Sequence, residues 1–363
     1  MPDCNLPSDN QIVNELISES KIDWDSFESS WDFKMHPLIE SKRRYFQSVD
    51  VGLQECFTFW KQKCNERFSK FVMLERELNE IFIDIYNLND ELSSEVGLAD
   101  ITIQKADAVR EVKSLISYSV GCMFGRYSLE EDGLINAGGR FDESKYKMFP
   151  ADADAIIPIT DEPYFDDDIV GRFEQFIKAV FGNKSLEVNL DYIADTLATK
   201  GSSSREKIRY YFLNDFFKDH CNTYSIKGSG KRPIYWQFDS GKQNGFKCLM
   251  YLHRYTPDTV GIIRSNYLTK TQGMIENALK NAEFAINNSS SAVDKAEATK
   301  KRDKYIKQLA EIRTYYPALS HIALQRIDLN LDDGVKTNYT KFQGIEVSIE
   351  GEKRQKIDLL AKI

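Results

Sequence analysis

Along most of this chain apolar residues recur every three or four positions, and the breaks in that rhythm divide it into elements. Residues 9–20 read as a short helix with Ile12, Val13, Leu16 and Ile17 on one face. From about Arg44 to Leu88 there is no proline and one glycine, Gly52; Phe57, Trp60, Cys64, Phe68 and Phe71, then Leu74, Leu78, Phe82 and Ile85, form one long stripe. Such a stripe suits a helical hairpin or bundle. Thr102–Tyr127 repeats the pattern with Ala106, Val109, Val112, Ile116 and Val120. Residues 130–166 carry turn signals (Gly133, Gly138-Gly139, Pro150, Pro163) around one apolar run, Ala155–Ile159, which Pro158 confines to a sheet edge.

Three acids, Asp166–Asp168, then open a helix over Ile169–Phe181, where negative charge favours the positive end of the dipole. A short helix over Leu190–Leu197 is broken at Thr199–Gly201. Ser203 and Glu206 then supply a capping box for a longer one, through Ile208, Tyr211, Phe212 and Phe216 to His220. The period now changes to two: Ile234, Trp236 and Phe238 share a face, as do Phe246, Cys248, Met250 and Leu252, with Asp239–Gly245 as the hairpin tip. Beyond Pro257 two long helices, Asp258–Asn287 and Ser291–Ala323, turn at Asn287–Ser291 as an antiparallel coiled-coil hairpin. Two weak strands and the tail Leu359–Ile363 follow Asp332–Gly334.

The fold class expected is α+β, predominantly α-helical: a helical bundle, a winged-helix-like unit with a β-hairpin, and the coiled-coil hairpin. Helix, tight turn, longer helix and hairpin is the order of a winged helix, whose second helix enters a major groove from its N-terminal end. The domains expected are 1–95, an aromatic segment and long helical hairpin; 96–254, mixed α/β with the winged-helix-like unit at about 186–254; and 255–363, the second helical hairpin and tail.

Length and composition narrow the class. The 363 residues, 42% hydrophobic and 12% aromatic, fit a packed globular protein of two or three domains. A net charge of −8 and a pI near 5.3 argue against a general nucleic-acid-coating protein but not against one local basic surface. No apolar run approaches the ~18 residues of a membrane span, and Met1–Asn5 lacks the pattern of a signal peptide, so a cytoplasmic protein is expected. Six scattered cysteines, with no Cys-x-x-Cys, fit free thiols in a reducing compartment. His220-Cys221 has no second ligand pair at metal spacing and reads as structural. Two Trp and two Phe within Asp23–Phe33 form a dense aromatic cluster, expected to pack as an irregular segment at ~150–250 Å² per ring.

Charge is unevenly placed. Residues 200–254 hold eleven Lys/Arg against four acids, a charge of +7, whereas 151–199 hold eleven acids against three bases, a charge of −8. Basic charge concentrated on a helix and hairpin suggests a polyanion partner; the alternative is a solvated helix face and a Lys-decorated hairpin edge. On the first reading Arg205, Lys207 and Arg209, at the start of the longer helix, meet phosphate or base edges. Lys231, Arg232, Lys242 and Lys247 add backbone contacts, Lys242 from the tip.

Catalytic patterns are absent or out of place. There is no Ser/His/Asp arrangement, no phosphate-binding loop and no His-Glu-x-x-His. Glu111-Val-Lys113 has the letters of a nuclease site but lies mid-helix. Gly121–Arg126 is glycine-containing but sits within a helical pattern with no strand before it. Asp161-Glu162-Pro163-Tyr164 approaches the Asn/Asp-Pro-Pro-Tyr motif of amino-methylating enzymes, with Glu162 in place of the first proline and no cofactor loop upstream. No catalytic, cofactor-binding or metal-binding residue is expected.

Several strings, in order, resemble the C-terminal part of the PglX family, the adenine-specific DNA methyltransferases of BREX-type phage defence. They are Asp23–Phe27, Trp31–Phe33 with His36-Pro37, Glu77–Tyr86 with Asp90–Leu92, Ile116–Tyr127, Lys231–Trp236 and His253–Tyr255. The family's catalytic motif and S-adenosylmethionine site lie upstream of everything present, so no catalytic residue carries over. The resemblance implies S-adenosylmethionine for the full-length enzyme and a non-catalytic role for this region. That role is engagement of double-stranded DNA, or, alternatively, assembly with the upstream methyltransferase domain or other BREX proteins without touching DNA.

Overall fold

A computed structural model describes residues 7–47, 51–228, 230–348 and 354–363. The stretch Met1–Asn5, with Cys4, lies outside them. The fold is mostly helical with small antiparallel sheets. Its packing divides into two units: residues 1–119, 131–134 and 176–197, and residues 120–130, 135–175 and 198–363.

The first unit is built on helices α1 (Pro7–Trp24), α2 (Pro37–Tyr45) and α3 (Leu53–Ile85), the body of α4 (Ala108–Met123) and α6 (Leu186–Leu197). The long stripe forms one 33-residue helix, α3, which spans about 50 Å at 1.5 Å per residue. Ile12 and Leu16 of α1 pack with Phe71 and Leu74 of α3 and with Ile103. Val13 and Ile17 are exposed, because each lies about 100° further round the helix than the residue before it. Asn189 of α6 accepts the Leu53 amide at 2.7 Å and so ties down the start of α3. In the aromatic segment Phe33 is buried, while Trp24 is exposed and Trp31 is fully so.

The second unit centres on a three-stranded antiparallel sheet in the order β1 (Ile156–Pro158), β5 (Lys247–Tyr251), β4 (Tyr235–Asp239). Pro158 does take an edge strand. Trp236 pairs with Met250 and Phe238 with Cys248, which puts the predicted apolar faces together. Because β5 is central and the sheet is buried on both faces, the β4–β5 hairpin forms the heart of this core rather than projecting into solvent. Over it lie α9 (Thr259–Ile262), a π-helical turn (Ile263–Leu268), α10 (Thr269–Asn288) and α11 (Ala292–Gln325). Ile263, Leu268, Ile275, Ile312, Tyr315 and Leu319 from these helices reach the sheet's core. Glu311 of α11 anchors the hairpin tip, accepting from Ser240 Oγ (2.7 Å), Gln243 N (2.8 Å) and Gly245 N (3.0 Å).

The acidic run begins α5 (Ile169–Phe181) as expected: Asp168 accepts from the Val170 and Gly171 amides. The helix expected to reach His220 is two helices, α7 (Ser204–Asn214) and α8 (Phe216–Thr223). The break at Asp215 turns the chain so that Tyr211, Phe212 and Phe216 all become buried. A short hairpin, β2 (Ser225–Ile226) and β3 (Gly230–Lys231), precedes β4. At the end come α12 (Val335–Thr340) and the pair β6 (Ile345–Val347) and β7 (Gln355–Ile357). The tail runs beside β4, where Ala361 N donates to Gln237 O and Asp239 N to Leu359 O.

Candidate nucleic-acid interface

Helix α7 starts where it does because its first turn is capped twice. Ser203 Oγ accepts from Glu206 N, and the Glu206 carboxylate reaches back to Ser202 N at 2.7 Å and Ser202 Oγ at 2.6 Å, which holds its pKa down. Gly201 makes the preceding turn possible. At φ +152° an added Cβ would stand 2.6 Å from the Lys207 nitrogen.

The cations at this helix start have partners. Arg205 grips Glu174 of α5 with two bonds, of 2.9 and 3.1 Å. Arg209 makes two 2.7 Å bonds to Asp168 and a third to Thr160 O. The Asp168 side chain is 1% exposed and that of Arg209 13%, so this is a buried, bidentate pair. The acidic block of 151–199 and the basic block of 200–254 therefore neutralise each other here, carboxylate to guanidinium. Lys207 is half-buried.

A second group of cations converges elsewhere. A groove of about 250 Å³ is lined by Lys218 of α8, Lys231, Lys247 and Lys362, with Phe217, Leu213, Gln237 and Asp239 among its walls. Lys247 is buried and satisfied from within: its Nζ donates to Leu213 O at 2.9 Å and lies 3.4 Å from Asp239. Burial raises the Asp239 pKa and the Lys247 charge opposes that rise. Lys218, Lys231 and Lys362 are exposed, so the groove presents three solvent-facing ammonium groups around one carboxylate that already has its own lysine. Arg232, next to Lys231, is also exposed, and Lys242 is exposed on the hairpin tip, outside the groove lining.

Of the seven residues read from the sequence, the fold thus brings Lys231 and Lys247 together, commits Arg205 to Glu174 of α5 and commits Arg209 to Asp168, just before that helix. Lys218 and Lys362 complete the groove. Lys218 was visible as part of the basic stretch; Lys362 had no local signal, since only the pairing of the tail with β4 brings it there.

The motifs set aside from the sequence lie in structural surroundings. At Gly121 an added Cβ would meet the Tyr127 ring at 2.5 Å, and at Gly125 the Phe141 ring at 2.6 Å. The space beside both glycines is filled by the chain's own aromatic rings, so Gly121–Arg126 does not form an open glycine-rich loop. Asp161 is bound by Gln308 and Lys304 of α11. Glu111 is buried on α4 against Arg110. Among the described residues no group of three or more His, Cys, Asp or Glu could hold a metal ion, and no helix is long and apolar enough to cross a membrane. The described cysteines are buried thiols.

No family model matches the chain. It is 42% identical over 336 residues to the adenine-specific methyltransferase PglX of Lacticaseibacillus casei (strain Zhang), covering 92% of this chain and 27% of that protein. It is 34% identical over 365 residues to the adenine-specific methyltransferase BrxX of Escherichia coli O9:H4 (strain HS), covering 91% of this chain and 29% of that protein. The chain therefore spans between a quarter and a third of the length of the curated relatives it matches. Along nine-tenths of its own length it is related to one segment of the PglX and BrxX adenine-specific methyltransferases.

Proposed function

We propose that this chain is a non-catalytic, C-terminal part of an adenine-specific DNA methyltransferase of BREX-type phage defence, and that it supports the grip on double-stranded DNA. On this reading it is cytoplasmic, and the methyl donor, S-adenosylmethionine, is bound by residues outside this chain. The observation that carries the reading is the lysine groove, three exposed ammonium groups on an otherwise acidic protein. Lys218, Lys231 and Lys362 would meet backbone phosphates, with Arg232 beside them and Lys242 adding a further contact from the tip. Contacts of this kind give affinity and orientation, whereas base reading belongs to other surfaces. Lys207 adds a further cation at the start of α7, whereas Arg205, Arg209 and Lys247, each held by a carboxylate, position the elements that carry the groove.

A gel-shift titration with K231E/R232E tests this. Duplex affinity is expected to fall about tenfold or more, from two lost phosphate contacts and two added repulsions. Affinity equal to wild type sinks the reading.

One observation favours the assembly reading: Trp31 is fully exposed and Trp24 largely so. Exposed tryptophans are enriched at protein interfaces. Under it, W24A/W31A would abolish co-purification with the upstream methyltransferase region or another BREX protein while leaving duplex affinity intact.

A further inference from the structure

The lysine groove has a polar floor that its basic rim does not explain. Side chains alternate along a strand, so Gln237 and Asp239 of β4 share the face opposite Trp236 and Phe238. Lys247 of β5, which pairs with Asp239, joins them. All three line the groove, and distances link them in series. Gln237 Nε2 donates to Asp239 Oδ2 at 3.1 Å, that oxygen lies 3.4 Å from Lys247 Nζ, and Nζ donates to Leu213 O at 2.9 Å. Asp239 Oδ1 accepts from Gly241 N at 2.9 Å. Carboxylate and ammonium are thus both met from within the protein.

One group on this floor is not. Gln237 is 4% exposed, and its Oε1 has no donor. Turning the amide round does not remove the mismatch, because its oxygen would then face the Asp239 carboxylate. A buried carbonyl oxygen without a donor is costly, so the floor asks for an N–H or O–H. The walls beside it include the apolar side chains of Leu213 and Phe217, and the rim carries the ammonium groups of Lys218, Lys231 and Lys362. At about 250 Å³ the groove is smaller than the ~300–1,000 Å³ pocket of a drug-sized ligand. It suits a single ring that carries a donor and is flanked by anions.

We propose that the groove takes one unpaired nucleotide whose base carries an exocyclic amino group. The amino N–H donates to Gln237 Oε1, the ring lies against Leu213 and Phe217, and the flanking phosphates meet the lysine rim. A base still in the stack cannot enter, so the nucleotide belongs to a single strand or is turned out of the duplex. This rests on the DNA reading and adds a base preference that phosphate contacts alone do not give. Cytosine offers an amino group at C4 and satisfies the oxygen, whereas uracil and thymine present a carbonyl there and set two acceptors against each other. An acidic peptide would also meet the rim, but it brings no flat ring to the apolar walls.

The test compares two single strands of equal length, one of deoxycytidine and one of deoxyuridine, binding the full chain at one salt concentration and neutral pH. The strands carry the same charge and differ at the base edge. Fluorescence anisotropy is expected to show the cytidine strand bound about five- to thirtyfold more tightly, the difference between a made and an unmade buried hydrogen bond. Gln237→Leu should bring cytidine affinity down to that of the uridine strand, and Gln237→Glu, which keeps an acceptor, should retain the preference. If the leucine variant does not fold, the Gln237 side-chain amide resonance of the wild type decides: it should shift with the cytidine strand and not with the uridine one. Equal binding of the two strands by wild type overturns the inference and leaves the phosphate grip standing. A preference that survives in folded Gln237→Leu overturns it too, as does an oligoglutamate peptide binding as tightly as the cytidine strand. Binding to neither strand nor to duplex refutes the DNA reading itself.

Discussion

Replacing Arg209 with alanine separates a structural cation from a DNA-contacting one. The change removes two 2.7 Å bonds to Asp168 and one to Thr160 O. It leaves a carboxylate that is 1% exposed with only the Val170 and Gly171 amides for company. Breaking a buried ion pair by removing one partner costs about 3–5 kcal/mol. For a unit of roughly 200 residues, where 1 kcal/mol moves the midpoint by about 2–4 °C, that amounts to a Tm lower by about 6–20 °C. Arg205→Ala is the control: its pair with Glu174 is 43% and 24% exposed, and such pairs are worth about 0–1 kcal/mol. Circular-dichroism melts of both variants, with urea titrations to confirm the order, make the measurement. If Arg209→Ala melts within a degree or two of wild type, the pair is not the buried structural bond described. If it melts like wild type and also loses duplex affinity, Arg209 belongs to the DNA surface after all.

Three further outcomes follow from named contacts. Burial and the nearby Arg126 charge hold the His220 pKa down at about 3 against an ordinary 6.5. The neutral ring therefore contributes stability that is present above pH 6.5 and lost as pH falls toward 3. The stability of wild type relative to His220→Gln should drop by about 1.4 kcal/mol per pH unit in that window, and a pH-independent difference would contradict it. Gly201→Ala should cost roughly 1–3 kcal/mol in urea unfolding, since its Cβ meets the backbone at Lys207 and Glu206. Glu311→Ala unmakes three bonds to the hairpin tip and should lower stability by about 1–3 kcal/mol. The same variant should speed amide exchange at Gln243 and Gly245, which unchanged exchange there would refute.

Much of the fold was legible because it is written locally. The alternation around Trp236 and Met250 fixed which faces of the hairpin meet. The Asn287–Ser291 turn fixed the break between α10 and α11, and Asp166–Asp168 fixed the start of α5. What was not legible depends on partners distant in sequence. Arg205 and Arg209 looked like an exposed basic face because their carboxylates lie 31 and 41 residues upstream. Lys247 looked like a phosphate contact because nothing nearby in sequence announces Leu213 O, 34 residues away. The same blindness hid Lys362. Local signals also misplaced one boundary: the apolar run to His220 reads as one helix, whereas burying Tyr211, Phe212 and Phe216 together requires the break at Asp215. Net charge by stretch is thus a poor guide to free charge when an equal and opposite stretch adjoins it.

The central claim is that the lysine groove grips DNA through its backbone phosphates. The most direct measurement is duplex affinity over a series of salt concentrations, for wild type and for K218E/K231E. Each neutralised phosphate contributes about −0.9 to the slope of log K against log salt. Wild type is expected to bind saturably and the variant to show a slope shallower by about 2, with both chains equally folded. Parallel lines for the two, or no binding by wild type at low salt, would contradict it.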